Sequence, residues 1–486
     1  MPTGVQITIG ATAGSGGGDA TLVAQFFLTG VSTRGSVTTP TIARSYSEFT
    51  DFTDGRTTAG SAHDAVRSFF AENEGTGRVV FQRVTGPGAN TLGTVILKDR
   101  STNPGVNTLT INAASPGAWS SLVTVVVSDG VLAGTCTIAV QYRGVTVETY
   151  PNLASPTEVV QALSISTYVR AVNLGSASVA PANIPLAGSF PLSAGADDAV
   201  NVTLAQLTAG LAMFTPDYGP GFVAIPGQPA STTLAAALGS HCQANSRIAA
   251  TSPAAGTTPA SAVTLARTLR ASTGARALGM VYPWVTLPAD GEAGTRLVSP
   301  EGAYAGRRAA AIAREGVWQP PAGEFGAFQY VTGVEVALTA VQVNALVDDA
   351  IIPIVTQPSP RVYGDRSLSA DEVTWRFLSY SDLVNAVAYD CRKVMDRYVG
   401  RSIDGLRGGF FASMLTDLNG ALQPYVDGGG LVPQGGDPGY LIDLSANNAS
   451  TISAGVAIAD ISLRPPSVAE LIKIRLTKVG FTPAAA

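Results

Sequence analysis

Between Leu204 and Tyr282 helical segments alternate with short, mostly apolar runs, and that order leaves few folds open. Residues 204–214 read as a helix, Phe222-Val223-Ala224-Ile225 as a strand and 232–245 as a helix. A strand at 247–250, a helix at 261–269 and a strand at 277–282 follow. Apolar runs without alternation are strands covered on both sides, so the pattern predicts a mostly parallel sheet with helices on both faces. Residues 23–87 repeat the scheme. A strand at 23–28 precedes two capping-box signatures, Ser45 with Glu48 and Ser61 with Asp64, and a strand at 78–84 follows. Ala62, Ala65, Val66, Phe69 and Phe70 form the apolar face of the second helix.

Residues 88–196 differ. Five β-rich runs, at 94–97, 108–111, 122–127, 136–142 and 145–150, alternate with turn residues, the spacing of a β-sandwich. Residues 171–196 carry no charge and read as loop. The stretch 361–399 predicts a short strand at 361–363, a second at 373–378, and an amphipathic helix with Ser381 as N-cap and Asp382 in its first turn. Leu383, Val384, Val387, Cys391, Val394, Met395 and Tyr398 make its apolar stripe; Arg392, Lys393, Asp396 and Arg397 lie opposite, and Gly400 ends it. A helix at 406–422 and strands at 440–444, 456–463 and 470–478 complete the chain.

The ends look like arms. Val5-Gln6-Ile7-Thr8-Ile9 alternates as a strand, and the linker Gly14-Ser15-Gly16-Gly17-Gly18 follows it. Leu471-Ile472-Lys473-Ile474-Arg475-Leu476 alternates likewise, after the break Arg464-Pro465-Pro466-Ser467. Strands tethered in this way add to an exposed sheet edge, of their own body or of a neighbour.

At 486 residues the chain suffices for two to four domains. Charged residues make up 13% against 45% hydrophobic. A surface that poor in charge fits either burial by partners or ordinary packing of a Gly- and Ala-rich chain. The net charge of −5 gives no basic footprint for nucleic acid. Cys136, Cys242 and Cys391 make no metal-ligand spacing and read as reduced thiols of a chain made in the cytoplasm. The start, Met1-Pro2-Thr3-Gly4, has neither the basic nor the apolar region of a signal peptide. The longest charge-free run, between Asp217 and Arg247, is broken by Pro226, Gly227 and Pro229, so membrane insertion is not expected.

Chemistry finds no constellation. His63 reads as a solvated first-turn residue. His241 and Cys242 are helix neighbours pointing about 100° apart, so they do not form a dyad. No Gly-x-Ser-x-Gly elbow occurs, and Gly219-Pro220-Gly221-Phe222-Val223-Ala224 opens a strand where a dinucleotide site opens a helix. Catalytic, cofactor and metal residues are therefore expected to be none.

Several ordered motifs resemble the contractile tail sheath proteins of phages and related injection machines. The first are Val362-Tyr363-Gly364-Asp365-Arg366-Ser367-Leu368 and Trp375-Arg376-Phe377, with the helix behind them. The most specific are Tyr282-Pro283-Trp284-Val285, the run from Val298 to Gly306, and Glu315-Gly316-Val317-Trp318-Gln319-Pro320-Pro321-Ala322. Ser115-Pro116-Gly117-Ala118-Trp119 and Val147-Glu148-Thr149-Tyr150-Pro151-Asn152-Leu153 resemble the family's inserted β-sandwich. Two departures occur: Glu74-Gly75-Thr76-Gly77 for a Gly-Gly pair, and Ser299-Pro300-Glu301 for Pro-Pro-Ser, with Gly302 and Gly306 kept.

The resemblance implies a multi-domain α/β plus β protein. Its parts are an arm (1–22), a discontinuous subtilisin-like α/β body (23–87 and 197–355), an inserted β-sandwich (88–196), an inner α+β domain (356–463) and a C-terminal arm (464–486). It implies a non-enzymatic subunit without cofactors in a virion tail, assembled in the host cytoplasm. Its partners would be itself, in stacked hexameric rings, a tail tube protein, and baseplate and terminator proteins, with no direct contact to nucleic acid. Arg392, Lys393 and Arg397 then face either solvent or the tube, and the two terminal strands pair with C-terminal domains of neighbouring subunits. A bacterial injection system or bacteriocin fits equally, and a subtilisin-like hydrolase is the rival from another class.

Overall fold

The computed structural model describes residues 24–101, 105–289, 294–405 and 408–470. Its centre is an eight-stranded sheet. From edge to edge the order is Arg361–Val362, Ile351–Val355, Leu278–Tyr282, Ile248–Thr251, Phe222–Ala224, Phe26–Gly30, Val79–Arg83 and Thr41–Ala43. The six inner strands run parallel, with Phe26 opposite Phe222 on one side and Val79 on the other; only the two edge strands are antiparallel.

Alternation within one strand feeds both faces. Phe26 meets Phe69 of the Ala62–Glu72 helix, and Phe27 meets Phe214 on the opposite side, each with ring centroids 5.4 Å apart. The Glu301–Arg314 helix crosses Ala62–Glu72 closely because Gly302 and Gly306 carry no side chain. A Cβ on Gly302 would stand 2.3 Å from the Ala65 carbonyl oxygen, and one on Gly306 2.7 Å from that of Phe69. Glu72, fully buried beside this crossing, accepts the N–H groups of Gln329, Tyr330 and Val331 at 2.7–3.1 Å.

A second core lies between Leu97 and Leu192. A four-stranded antiparallel sheet, in the order Gly188–Pro191, Val123–Asp129, Cys136–Tyr142, Val145–Leu153, shares this core with a three-stranded one, Thr94–Lys98, Asn107–Ala113, Val169–Asn173, and with the helix Pro156–Leu163. The stretch 171–196 is thus not simply loop. Its strand Gly188–Pro191 is specified by its antiparallel partner Val123–Asp129 rather than by its own composition. Arg83, buried in the central sheet, binds this unit to it through the Pro116 carbonyl (3.0 Å) and pairs just beyond the unit with Asp197 (2.5 Å).

A third core gathers around the helices Leu378–Met395 and Gly409–Asp427 and the hairpin Tyr440–Asp443 with Asp460–Leu463. Here the sequence reading needs correcting. Residues 373–378 make no strand: Asp371 Oδ1 accepts the N–H groups of Val373 and Thr374 at 3.1 and 3.0 Å, an aspartate turn that competes with strand pairing. Only a single bridge, Arg366 to Phe377, remains. The long helix begins at Leu378, with Phe377 and not Ser381 at its N-cap. Asp365 supplies the missing acceptors: its carbonyl takes the Leu378 N–H (2.8 Å) and its carboxylate that of Ser379 (3.0 Å). The helix expected at 406–422 runs from Gly409 through Pro424 to Asp427, capped by the Asp404 carboxylate, and the strand expected at 456–463 is only Asp460–Leu463. Ser61 makes no side-chain cap; Ser45 does cap the Glu48 N–H, but the Glu48 carboxylate turns back to the Arg44 N–H rather than closing the box on Ser45.

Candidate assembly surface

The Leu378–Met395 helix belongs to two cores. Leu378 packs into the central one, and Leu383, Ala386, Val387 and Cys391 into the third. Three polar links bolt its first turns to the α/β body, and a fourth holds Asp365, which caps it. Arg308 Nε donates to Asp382 at 2.6 Å, both groups buried. Ser381 donates to the Arg276 carbonyl (2.6 Å), Asn385 to that of Arg247 (2.9 Å), and Tyr304 to Asp365 (3.3 Å). Asp382, expected in the first turn for the sake of the helix dipole, is therefore half of a buried ion pair. Burial pushes its carboxyl up to about 6 despite Arg308, and burial likewise pushes Asp365 up to about 7.

The far end of the helix leaves the core. Arg392 and Lys393 are exposed, and neither has an ion-pair partner among the described residues. Arg397 is tied down: it reaches Asp417 at 3.3 Å and the Val394 carbonyl at 3.1 Å. Asp417 also accepts the Tyr398 hydroxyl, and Arg401 lies over the Tyr398 ring at 4.8 Å. Tyr398, Arg401, Ser413, Thr416 and Asp417 line a shallow groove of about 410 Å³ beside this basic end. The three residues singled out from sequence thus sit near one another, two with solvated charges and one inside an ion pair. Arg401 and the groove were missed, because Gly400 closes the helical pattern just before Arg401. The strand residues Val5, Gln6, Ile7, Thr8, Ile9, Leu471, Ile472, Lys473, Ile474, Arg475 and Leu476 lie outside the described residues.

The histidines are not placed for acid–base work. His63 is buried against Phe49, with ring centroids 4.9 Å apart, not solvated as its helix position suggested; burial lowers it to about 4. His241 Nε2 lies 2.9 Å from the guanidinium of Arg247, and burial with that charge lowers it to about 3. Cys242 is buried and pushed up to about 12. In a doubly wound sheet the ligand crevice opens where strand order reverses, here between Phe26–Gly30 and Phe222–Ala224. A 300 Å³ cavity at those strand ends has Arg56, Ser61, Asp64 and Trp284 among its lining residues, and Arg56 and Asp64 are paired at 3.1 Å. No cluster of histidine, cysteine or carboxylate suited to a metal occurs among the described residues, and no helix there is long and apolar enough to cross a membrane.

Residues 201–368 match the family model of the phage tail sheath protein central domain. No curated protein matches the sequence. Among solved structures, the sheath tail protein of Listeria innocua is 14% identical, with 90% of each chain covered and a TM-score of 0.61. A chain of the anti-feeding prophage baseplate is 15% identical, covering 98% of this chain and 99% of its own, with a TM-score of 0.56. A chain of the contracted PVC sheath complex, from an extracellular contractile injection system, is 14% identical over 98% and 97%, with a TM-score of 0.54. Residues 201–368 thus resemble the phage tail sheath central domain, and the fold around them is shared along the length of the chain with these structures.

Proposed function

We propose that this chain is the structural subunit of a contractile tail sheath. It polymerises around a tail tube and shortens from a metastable extended state, driving the tube through a target envelope. The observation that carries the reading is the match of residues 201–368 to the sheath central domain, set in a fold shared with sheath chains solved in contracted assemblies. In this reading 23–87 with 197–355 form the body, 88–196 an outer unit, 356–463 the inner domain, and 1–22 and 464–486 the arms. The inner domain presents Arg392, Lys393 and Arg397 to the tube, and Val5–Ile9 and 471–476 pair with neighbouring subunits. Two features support this division. The segment 88–196 has a buried core of its own, whereas the body and the inner domain interlock, with Val362, Leu368 and Leu378 in the body's core and Ile312 and Val317 in the other; and the basic helix end stands away from the bolted root. The buried, pKa-shifted histidines support a subunit without hydrolytic activity.

Heterologous contacts of one chain with itself naturally generate helical cylinders. A baseplate at one end and a terminator at the other complete the assembly. The sheaths of injection systems and of phages are served by the same geometry. Co-sedimentation with preformed tubes of a tail tube protein tests the reading: the chain should pellet with tubes and remain soluble without them at low concentration. A chain left in the supernatant under both conditions contradicts it.

A further inference from the structure

Glu470 is the last described residue, and its carboxylate lies between two arginines. Arg366 Nε stands 2.5 Å from Oε1, and Arg376 donates to Oε2 from Nε at 2.9 Å and from a terminal nitrogen. Arg366 also faces Glu372 at 3.7 Å, and Glu372 pairs with Arg270 at 2.6 Å. The charges therefore alternate along one chain: Arg270, Glu372, Arg366, Glu470, Arg376. The Arg366 side chain is only 6% exposed, so it needs a close counter-charge, and Glu470 is nearer than Glu372. Both arginines stand on one loop that is fastened to the central sheet. Ser367 N–H donates to the Arg376 carbonyl (3.1 Å), and Leu368 N–H to that of Leu278 (2.8 Å), at the start of an inner strand.

We infer that Arg366 and Arg376 form a carboxylate seat that latches the root of the C-terminal arm to the central sheet through Glu470 of the same chain. The latch fixes where the arm leaves the subunit and passes tension in the arm to the sheet. The inference rests on reading 464–486 as an intersubunit arm; the seat itself is a property of one subunit. Without it, the nearest upstream attachments are the exposed Arg464–Asp437 pair and the four-residue strand Asp460–Leu463. A pull on the arm would peel that strand from Tyr440–Asp443 one hydrogen bond at a time.

Amide exchange on the full-length chain at monomeric dilution, followed by electron microscopy of assembled material, tests the latch. E470Q should lower protection of residues 464–470 by about tenfold, whatever the protein concentration. The single reversals R376E and E470R should do the same, and R376E/E470R in one chain should recover part of the protection, because Arg366 then keeps only Glu372. Cylinders should fail with either single reversal, return with the double, and stay absent when R376E and E470R chains are mixed. Unchanged protection in E470Q overturns the seat. Rescue by mixing shows that a neighbour's carboxylate fills it and overturns the intramolecular latch. Normal cylinders from a chain lacking 473–486 would overturn the arm reading, and the latch's purpose with it, while E470Q still showed the exchange signature.

Discussion

Asp365 shows how one side chain joins two parts of this molecule. Its backbone and carboxylate cap the Leu378–Met395 helix while Tyr304 reaches it from the α/β body. Burial holds its carboxyl near 7, so between about 4 and 7 the folded chain keeps a proton that the unfolded chain releases. Stability from this group is therefore full below the ordinary carboxylate value and is lost as pH rises through about 7, by up to about 1.4 kcal/mol per pH unit. Asp365→Asn keeps an acceptor for Ser379 and cannot ionise. Denaturant midpoints at pH 5 and pH 8 should differ less in the variant than in the parent; equal differences would show that Asp365 titrates normally. Some slope should survive, because Asp382 is shifted in the same direction. At the other end of the helix, reversing Arg392, Lys393 and Arg397 to glutamate should weaken co-sedimentation with tubes, more so at low salt where screening is least. The reversal at 397 also sets a carboxylate against Asp417, so Arg392→Glu/Lys393→Glu is the cleaner probe of the tube face. Binding unchanged in both variants would assign these charges to solvent.

Among elements, the crossing of Ala62–Glu72 with Glu301–Arg314 is the most exacting contact. Gly302→Ala or Gly306→Ala forces a methyl group against a backbone carbonyl and should cost about 1–3 kcal/mol, read as a lower urea midpoint. A midpoint within error of the parent would mean that the helices separate freely. Both glycines were visible in the sequence as motif residues; that they permit a helix crossing was not, because a motif does not name its partner. Alternation of strand and helix made the central sheet legible, down to the Thr232–Asn245 helix, whose bounds match. Local pattern failed where distant groups decide. Residues 373–378 have strand composition, but the Asp371 side chain turns them. Ser381 looks like a cap, but Asp365 starts the helix one turn earlier, which carries Asp382 inward to Arg308. The apolar stripe of that helix and its exposed Arg392 and Lys393 were legible, because a period of 3.6 reports burial directly. The partners of Arg397, His63 and Glu470 were not, because each is set by packing between elements far apart in sequence.

Across the whole molecule, the unit between Thr94 and Pro191 has its own core and two sheets, yet it is not loosely hung. Arg83 reaches into it, and Asp54 accepts from both Tyr142 (2.8 Å) and Arg143 (2.7 Å). Replacing 92–192 by a short Gly/Ser bridge should leave a folded, polymerising remainder, since Arg83 retains Asp197 and the Ser32 carbonyl as partners. Aggregation of that chain would show that the unit is part of the body's own stability. The bolted helix root and the close helix crossing make stiff bodies; joined by the arms and latch proposed above, such bodies would suit a shell that changes length without coming apart. The central claim is that many copies of this chain build such a shell, and negative-stain electron microscopy of the purified, concentrated full-length protein tests it most directly. The account predicts hollow cylinders with regular cross-striations; a field of dispersed single particles at every concentration and salt would contradict it.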